Sequence, residues 1–208
     1  MPGARLRRAR VKRGAARVEP ADRDRALALT PVSRETLERL DRFVALLLTW
    51  QRTTNLIAPS TVSHLWMRHV TDSLQLLDLA PEARVWVDLG AGGGFPGLVI
   101  ACALAGRPGA HVHLVESNNK KAAFLREVQR VTETPVSVHA ARIEDFVMSF
   151  EGPADVVPAR AVAPLKSLLD QCFPLLGKRV RWACSLRGKM QSLNSGRRAS
   201  RARQRLGP

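Results

Sequence analysis

The chain has 208 residues and a formal net charge of +15, a length that suits one domain with a substantial core and excludes a minimal peptide scaffold. Residues 1–18 carry seven Lys or Arg and residues 178–208 carry ten, neither with an acid, so of 33 bases only 16 face all 18 acids between 19 and 177. The excess charge therefore sits in two ends, each of which reads as a basic, unstructured tail, and the near-neutral body excludes a protein that is basic throughout.

In chain order, residues 1–30 are expected to form a disordered basic tail. The run Arg5-Leu6-Arg7-Arg8-Ala9-Arg10-Val11-Lys12-Arg13 lacks the apolar segment of a secretory signal. Residues 31–80 read as a small helical cap. Leu37, Leu40, Phe43, Val44, Leu47 and Leu48 recur at three- and four-residue intervals and predict an amphipathic helix over 33–52. A second helix is predicted over 60–79, with Leu65, Val70, Leu74 and Leu77 as its buried stripe. From residue 81 to 177 the pattern alternates. Strands are predicted at 85–89, 112–116, 135–139 and 155–157, and helices from 97, over 120–132, near 144 and over 164–176. Such alternation implies parallel pairing with right-handed crossovers, hence an open α/β sheet whose ligand sits at the carboxyl ends of its strands.

The most informative stretch is Val85-Trp86-Val87-Asp88-Leu89-Gly90-Ala91-Gly92-Gly93-Gly94-Phe95-Pro96-Gly97, an apolar strand that ends in a carboxylate and breaks into a glycine-rich turn. Such a turn lets a ligand approach the backbone, and the apolar run from Leu98 to Leu104 then presents a helix N-terminus to it. The spacing Gly92-x-Gly94-x-x-Gly97 also satisfies the dinucleotide fingerprint. Asp88 weighs against a pyrophosphate there and suits a cationic ligand, such as the sulfonium and ammonium of S-adenosylmethionine.

Glu116 ends the second predicted strand, where an acid accepts hydrogen bonds from ribose hydroxyls of either cofactor class. Arg142-Ile143-Glu144 follows the third strand and can meet an adenine edge and face; it also reads as an ordinary helix start. Lys120, Lys121 and Arg126 crowd basic charge at a helix N-terminus, which an external phosphate would relieve. Asn55, His69, Asp72 and Ser73 lie upstream, with His69 and Ser73 on one helical face. Spacing alone leaves them as structural residues. Arg160, the one cation in the apolar segment 156–165, calls for a carboxylate or phosphate partner at a strand end.

Several of these pieces together resemble a known family, the bacterial methyltransferases acting on guanine N7 of 16S ribosomal RNA, also called glucose-inhibited division protein B. They are Trp50-Gln51-Arg52-Thr53-Thr54-Asn55-Leu56, Arg68-His69-Val70-Thr71-Asp72-Ser73, the loop 88–97, Phe124-Leu125-Arg126 within 120–129, Arg142-Ile143-Glu144, and Arg160-Ala161-Val162-Ala163-Pro164-Leu165. The resemblance spans about residues 33–177. It implies a class I S-adenosylmethionine-dependent methyltransferase fold, Rossmann-like with a mainly parallel sheet, behind an N-terminal helical cap. It implies cofactor contacts from Asp88, Gly90, Gly92, Gly94, Phe95, Pro96, Gly97, Glu116, Ile143, Glu144 and Arg160. Asn55, His69 and Arg160 would stand at the reacting guanine, and Lys120, Lys121, Arg126 and Arg142 would face the RNA.

The implied partner is 16S ribosomal RNA or the small ribosomal subunit, and a cytoplasmic monomer is expected. Cys102, Cys172 and Cys184 show no Cys-x-x-Cys spacing, so a reduced compartment and no metal centre are expected. No apolar stretch reaches about 18 residues, so no membrane span is expected. The resemblance departs near Lys178. There Arg179, Arg181 and Arg187 interrupt what should be a covered strand, and residues 178–208 read as an atypical basic tail. The C-terminal strands are therefore expected to be missing or altered, as a reading-frame change would leave them, with an exposed sheet edge. Two other functions stay open on residues alone: a non-catalytic RNA-binding remnant, and a nicotinamide-dependent oxidoreductase.

Overall fold

The computed structural model describes residues 18–152, 154–159, 175, 181–186 and 189–194. Among them, six strands form one sheet in the order β3-β2-β1-β4-β5-β6. They are β1 (Val85–Leu89), β2 (His111–Val115), β3 (Val136–His139), β4 (Val156–Ala159), β5 (Arg181–Leu186) and β6 (Lys189–Asn194). Pairing is parallel from β3 to β5 and antiparallel between β5 and β6. Between β1 and β4 the order reverses, and that crevice is where an open α/β sheet admits a ligand. At the opposite, amino end of these two strands Asp155 ties them together, its Oδ2 accepting from the backbone N–H of Arg84 and Val85 at 2.8 and 2.9 Å.

Strand alternation divides the side chains between two faces. Trp86, Val112, Leu114 and Val136 point to one face, where they join a core with α2 (Arg34–Trp50), α4 (Gly97–Leu104) and α5 (Asn119–Thr132). Val87, Leu89, Val115 and Val157 point to the other and pack with Phe146 and Val147 of α6 (Ile143–Ser149). The periodicity of α2 explains its place: Leu40, Phe43, Val44 and Leu47 are all buried, each contributing about 1.5–3 kcal/mol by leaving water. The Ser33 hydroxyl starts this helix by accepting from Thr36 N–H at 3.2 Å, a side-chain cap worth about 1 kcal/mol.

Three expectations need correction. Residues Pro20–Leu29, placed in the basic tail by composition, form helix α1. What orders it is long-range: Asp22 is fully buried, and its Oδ2 accepts from Trp66 N–H at 2.8 Å. Residues 60–79 are not one helix. A 3-10 turn (Pro59–His64) runs into a π-turn (Trp66–Thr71) and then into α3 (Asp72–Leu79). The wider π-turn shifts the register, so that Leu76 is buried and Leu77 is only half-buried. Finally, the sheet does not end at β4. Of the expectation that the C-terminal strands are missing or altered, the first alternative does not hold: β5 and β6 extend the sheet past that edge through backbone ladder bonds.

Candidate active site

The glycine-rich loop leaves β1 and folds back over the end of β2, with Gly90 and Ala91 N–H donating to Val115 O at 2.8 and 2.9 Å. Its backbone is left-handed at Gly90, Gly92 and Gly94 (φ 76°, 53° and 89°), a region that L side chains enter only with strain. Two carboxylates brace the turn from opposite sides. Asp88, 2% exposed, accepts from Gly97 N–H at 2.9 Å, placing negative charge at the first amide of α4 where the helix dipole favours it. Glu116, 8% exposed, accepts from Gly92 N–H through Oε2 at 2.9 Å and from Asn118 N–H through Oε1 at 2.8 Å. A carboxylate has about four acceptor sites, so each Glu116 oxygen keeps capacity for a ribose hydroxyl.

The cap meets this loop through rings. Phe95 packs against Phe43 of α2 at 5.1 Å between centroids and stacks on His69 of the π-turn at 4.9 Å and 29°. The His69 Nε2 is 2.9 Å from Thr61 Oγ1, so the imidazole is fixed both in plane and at its edge. A π-turn inserted among helical turns is a recurrent way of presenting side chains at a functional site, and this one carries Arg68 and His69. Asn55 is exposed in the turn that follows α2, next to buried Leu56 and Ile57.

On the RNA side of the prediction, Lys120 and Arg126 are exposed on α5 and Lys121 is half-buried. The start of α5 is capped internally, since Asn118 Oδ1 accepts from Lys120 and Lys121 N–H at 3.0 and 3.2 Å. Arg142 precedes α6 without a side-chain cap and is exposed, as is Glu144, whereas Ile143 is half-buried against the second core. Arg160 lies outside the described residues. Loop, Glu116, Phe95 and His69 are thus gathered at one end of the sheet by direct contacts, while Asn55 sits on a neighbouring turn. Three residues support the site without having been predicted as site residues: Gln51 beneath the Asn55 turn, Thr61 beside His69, and Phe43 behind Phe95. Phe43 was legible as a core residue, but only the fold shows that its ring supports the loop.

Cys102 lies inside α4, and burial pushes its thiol up to about 12, so it is no nucleophile at neutral pH. Among the described residues no cluster of His, Cys, Asp and Glu could hold a metal ion, and no helix is long and apolar enough to cross a membrane.

Comparison with known proteins agrees with this architecture. The family model described as rRNA small subunit methyltransferase G matches residues 36–203. The chain belongs to that family. It is 62% identical over 175 residues to the ribosomal RNA small subunit methyltransferase G of Bradyrhizobium sp. strain BTAi1, covering 84% of this chain and 78% of that protein. The same protein of Bradyrhizobium sp. strain ORS 278 is 65% identical over 165 residues, covering 79% of this chain and 74% of that one. A solved structure, the SAH-bound methyltransferase PaMTH1 of Podospora anserina, superposes with a TM-score of 0.52 at 18% identity, over 79% of this chain and 68% of that one. That likeness establishes the class I methyltransferase fold. The family match also runs through residues 178–203, the segment that reads as a basic tail.

Proposed function

We propose that this chain methylates guanine N7 of 16S ribosomal RNA with S-adenosylmethionine, acting as a cytoplasmic monomer. One observation supports the site most directly: the stacking of His69 on Phe95, which joins the substrate-side cap to the glycine loop. Family membership supplies the substrate class, and the loop chemistry suits the cofactor. The residues fit that cofactor because the turn is free of side chains at Gly90 and Gly92, where a Cβ at Gly92 would meet nothing nearer than Gly90 O at 3.7 Å, and because Glu116 retains acceptor capacity for a ribose.

S-adenosylmethionine supplies a methyl group made electrophilic by a sulfonium. The protein's part is small in covalent terms, because guanine N7 carries a lone pair at neutral pH and needs no base. Asn55, His69 and Arg160 would hold the guanine or its phosphate in line with the methyl, and the buried loop would exclude water; alignment of this kind can contribute about 7–11 kcal/mol to lowering the barrier. Glu116 would orient the ribose, with Ile143 and Glu144 against the adenine. Lys120, Lys121, Arg126 and Arg142 would meet RNA phosphates.

The test combines calorimetry with S-adenosylhomocysteine and with NAD, and transfer of labelled methyl to small ribosomal subunits from cells lacking the modification. Tight binding of S-adenosylhomocysteine alone, with incorporation at a guanine N7, is the expected result. Binding without incorporation would favour an RNA-binding remnant, and NAD binding would favour an oxidoreductase. Gly90→Arg, which adds a long side chain at a left-handed position, is expected to lower S-adenosylhomocysteine affinity by about a hundredfold or more.

A further inference from the structure

The turn that carries Asn55 is tied down by a side chain to which none of the roles above has been given. Gln51 follows the last residue of α2, its backbone N–H donating to Leu47 O at 2.8 Å. Its carboxamide folds back on the chain ahead. Oε1 accepts from the N–H of Leu56 and of Ile57 at 2.9 and 3.0 Å, and Nε2 donates to Ile57 O at 2.7 Å. Glutamine can do this because one planar group carries both an acceptor with two lone pairs and a donor. The three bonds close residues 52–55 into a turn whose two ends cannot separate.

The far side of the same turn rests on the glycine loop. A Cβ built at Gly93 would stand 2.8 Å from Leu56 O and 3.3 Å from Ile57 Cγ2. The backbone of the cap and the backbone of the loop therefore meet without a side chain between them. Leu56 and Ile57 are buried at this joint, and Arg52, Thr53 and Asn55 are exposed beyond it. Gln51 clamps the turn from α2, and Gly93 seats it.

We propose that Gln51 is a positioning residue for the methylation reaction: by fixing Leu56 and Ile57 against Gly93, it sets where Asn55 stands relative to the cofactor loop. The proposal rests on the reading that the loop binds S-adenosylmethionine and that Asn55 faces RNA. Its weight comes from the steepness of alignment, since a misplacement of about 1 Å at a reacting centre can cost about a hundredfold in rate.

The experiment uses the full chain, small ribosomal subunits lacking the modification as methyl acceptor, and S-adenosylhomocysteine as calorimetric ligand. Gln51→Ala is expected to lower kcat with the subunit by about tenfold or more, with S-adenosylhomocysteine affinity held within about twofold. Gln51→Glu keeps an acceptor for both amides but turns a carboxylate oxygen toward Ile57 O in place of the donor, so the two acceptors repel, the turn should open and kcat should fall as in Gln51→Ala. Gly93→Ala pushes the same joint from the loop side, should also lower kcat, and should be less than additive with Gln51→Ala. It also keeps the proposal open to test if Gln51→Ala fails to fold. A Gln51→Ala chain that methylates at the wild-type rate and only melts earlier would overturn the proposal, as would a Gln51→Glu chain as active as the wild type. A wild-type chain that neither binds S-adenosylhomocysteine nor methylates would instead overturn the reading beneath it.

Discussion

The two faces of the sheet are built on different chemistry. On the face covered by α2, α4 and α5, β1 to β3 present Trp86, Val112, Leu114 and Val136, all buried and apolar. On the face toward α6, the same strands present Val87, Leu89 and Val115 near β1, and then His111, His113, Ser137 and His139. These histidines are half-buried; His113 Nδ1 lies 3.1 Å from His139 Nε2, and His111 Nε2 lies 2.9 Å from Ser137 Oγ. The apolar face carries the glycine loop, which needs a support that does not change with solution conditions. The imidazole-bearing face supports α6, with His139 packed on Phe146.

The largest effect is expected where the loop enters the apolar face. A Cβ at Gly97 would overlap Leu114 Cδ2 and stand 2.7 Å from Asp88 Oδ2, so Gly97→Ala should destabilise the chain by about 3 kcal/mol. Urea unfolding measures it. A loss below about 0.5 kcal/mol, within the range of an ordinary surface change, would mean that this face is not the tight support described.

Asp88 sharpens the same comparison, because it is a buried carboxylate on the apolar face. Strand alternation puts it on the side of Trp86, and its Oδ2 is bonded to Gly97 N–H. Asp88→Ala leaves that buried amide without this acceptor and should cost about 2 kcal/mol. Asp88→Asn keeps an oxygen in place and should recover much of the loss. Faster hydrogen exchange at the Gly97 amide in Asp88→Ala alone would assign the effect to this bond. Equal exchange in both variants would break the assignment.

The alternating strands and helices were legible because each obeys a local period: β1 is found where the apolar run predicts it, and β2 within one residue. Local periods also explain the failures. The predicted stripe of 60–79 assumed 3.6 residues per turn throughout, but the chain is held at Trp66 by Asp22, 44 positions away, and past the π-turn that follows Leu76 is buried while Leu77 only packs half-buried at the rim of the core. α1 was hidden for the same reason, since its ordering depends on that contact and not on any period of its own, and it follows directly on the basic run. At the site, the glycines and acids were legible because their chemistry is local to the strand ends. Gln51 was not, since its role consists of bonds to backbone atoms, which no side-chain pattern records.

The smallest effect concerns the imidazole-bearing face. Burial, and then the neighbouring His111 and His139, push the His113 imidazole down to about 4, and burial and His111 lower His139 as well. A histidine with a depressed value in the folded chain takes up protons first in the unfolded chain, so its stabilising contribution is intact above about pH 6.5 and is lost as pH falls toward 4. Part of this is screened, because these rings are only half-buried. The melting temperature should therefore fall by a few degrees between pH 7 and pH 5, and His113→Phe should flatten that slope while leaving Gly97→Ala and Asp88→Ala as costly as before. Phe is the replacement of choice because the His113 ring already packs edge-on against Phe150 at 4.9 Å. An unchanged slope in His113→Phe would move the acid sensitivity elsewhere and remove the contrast between the two faces.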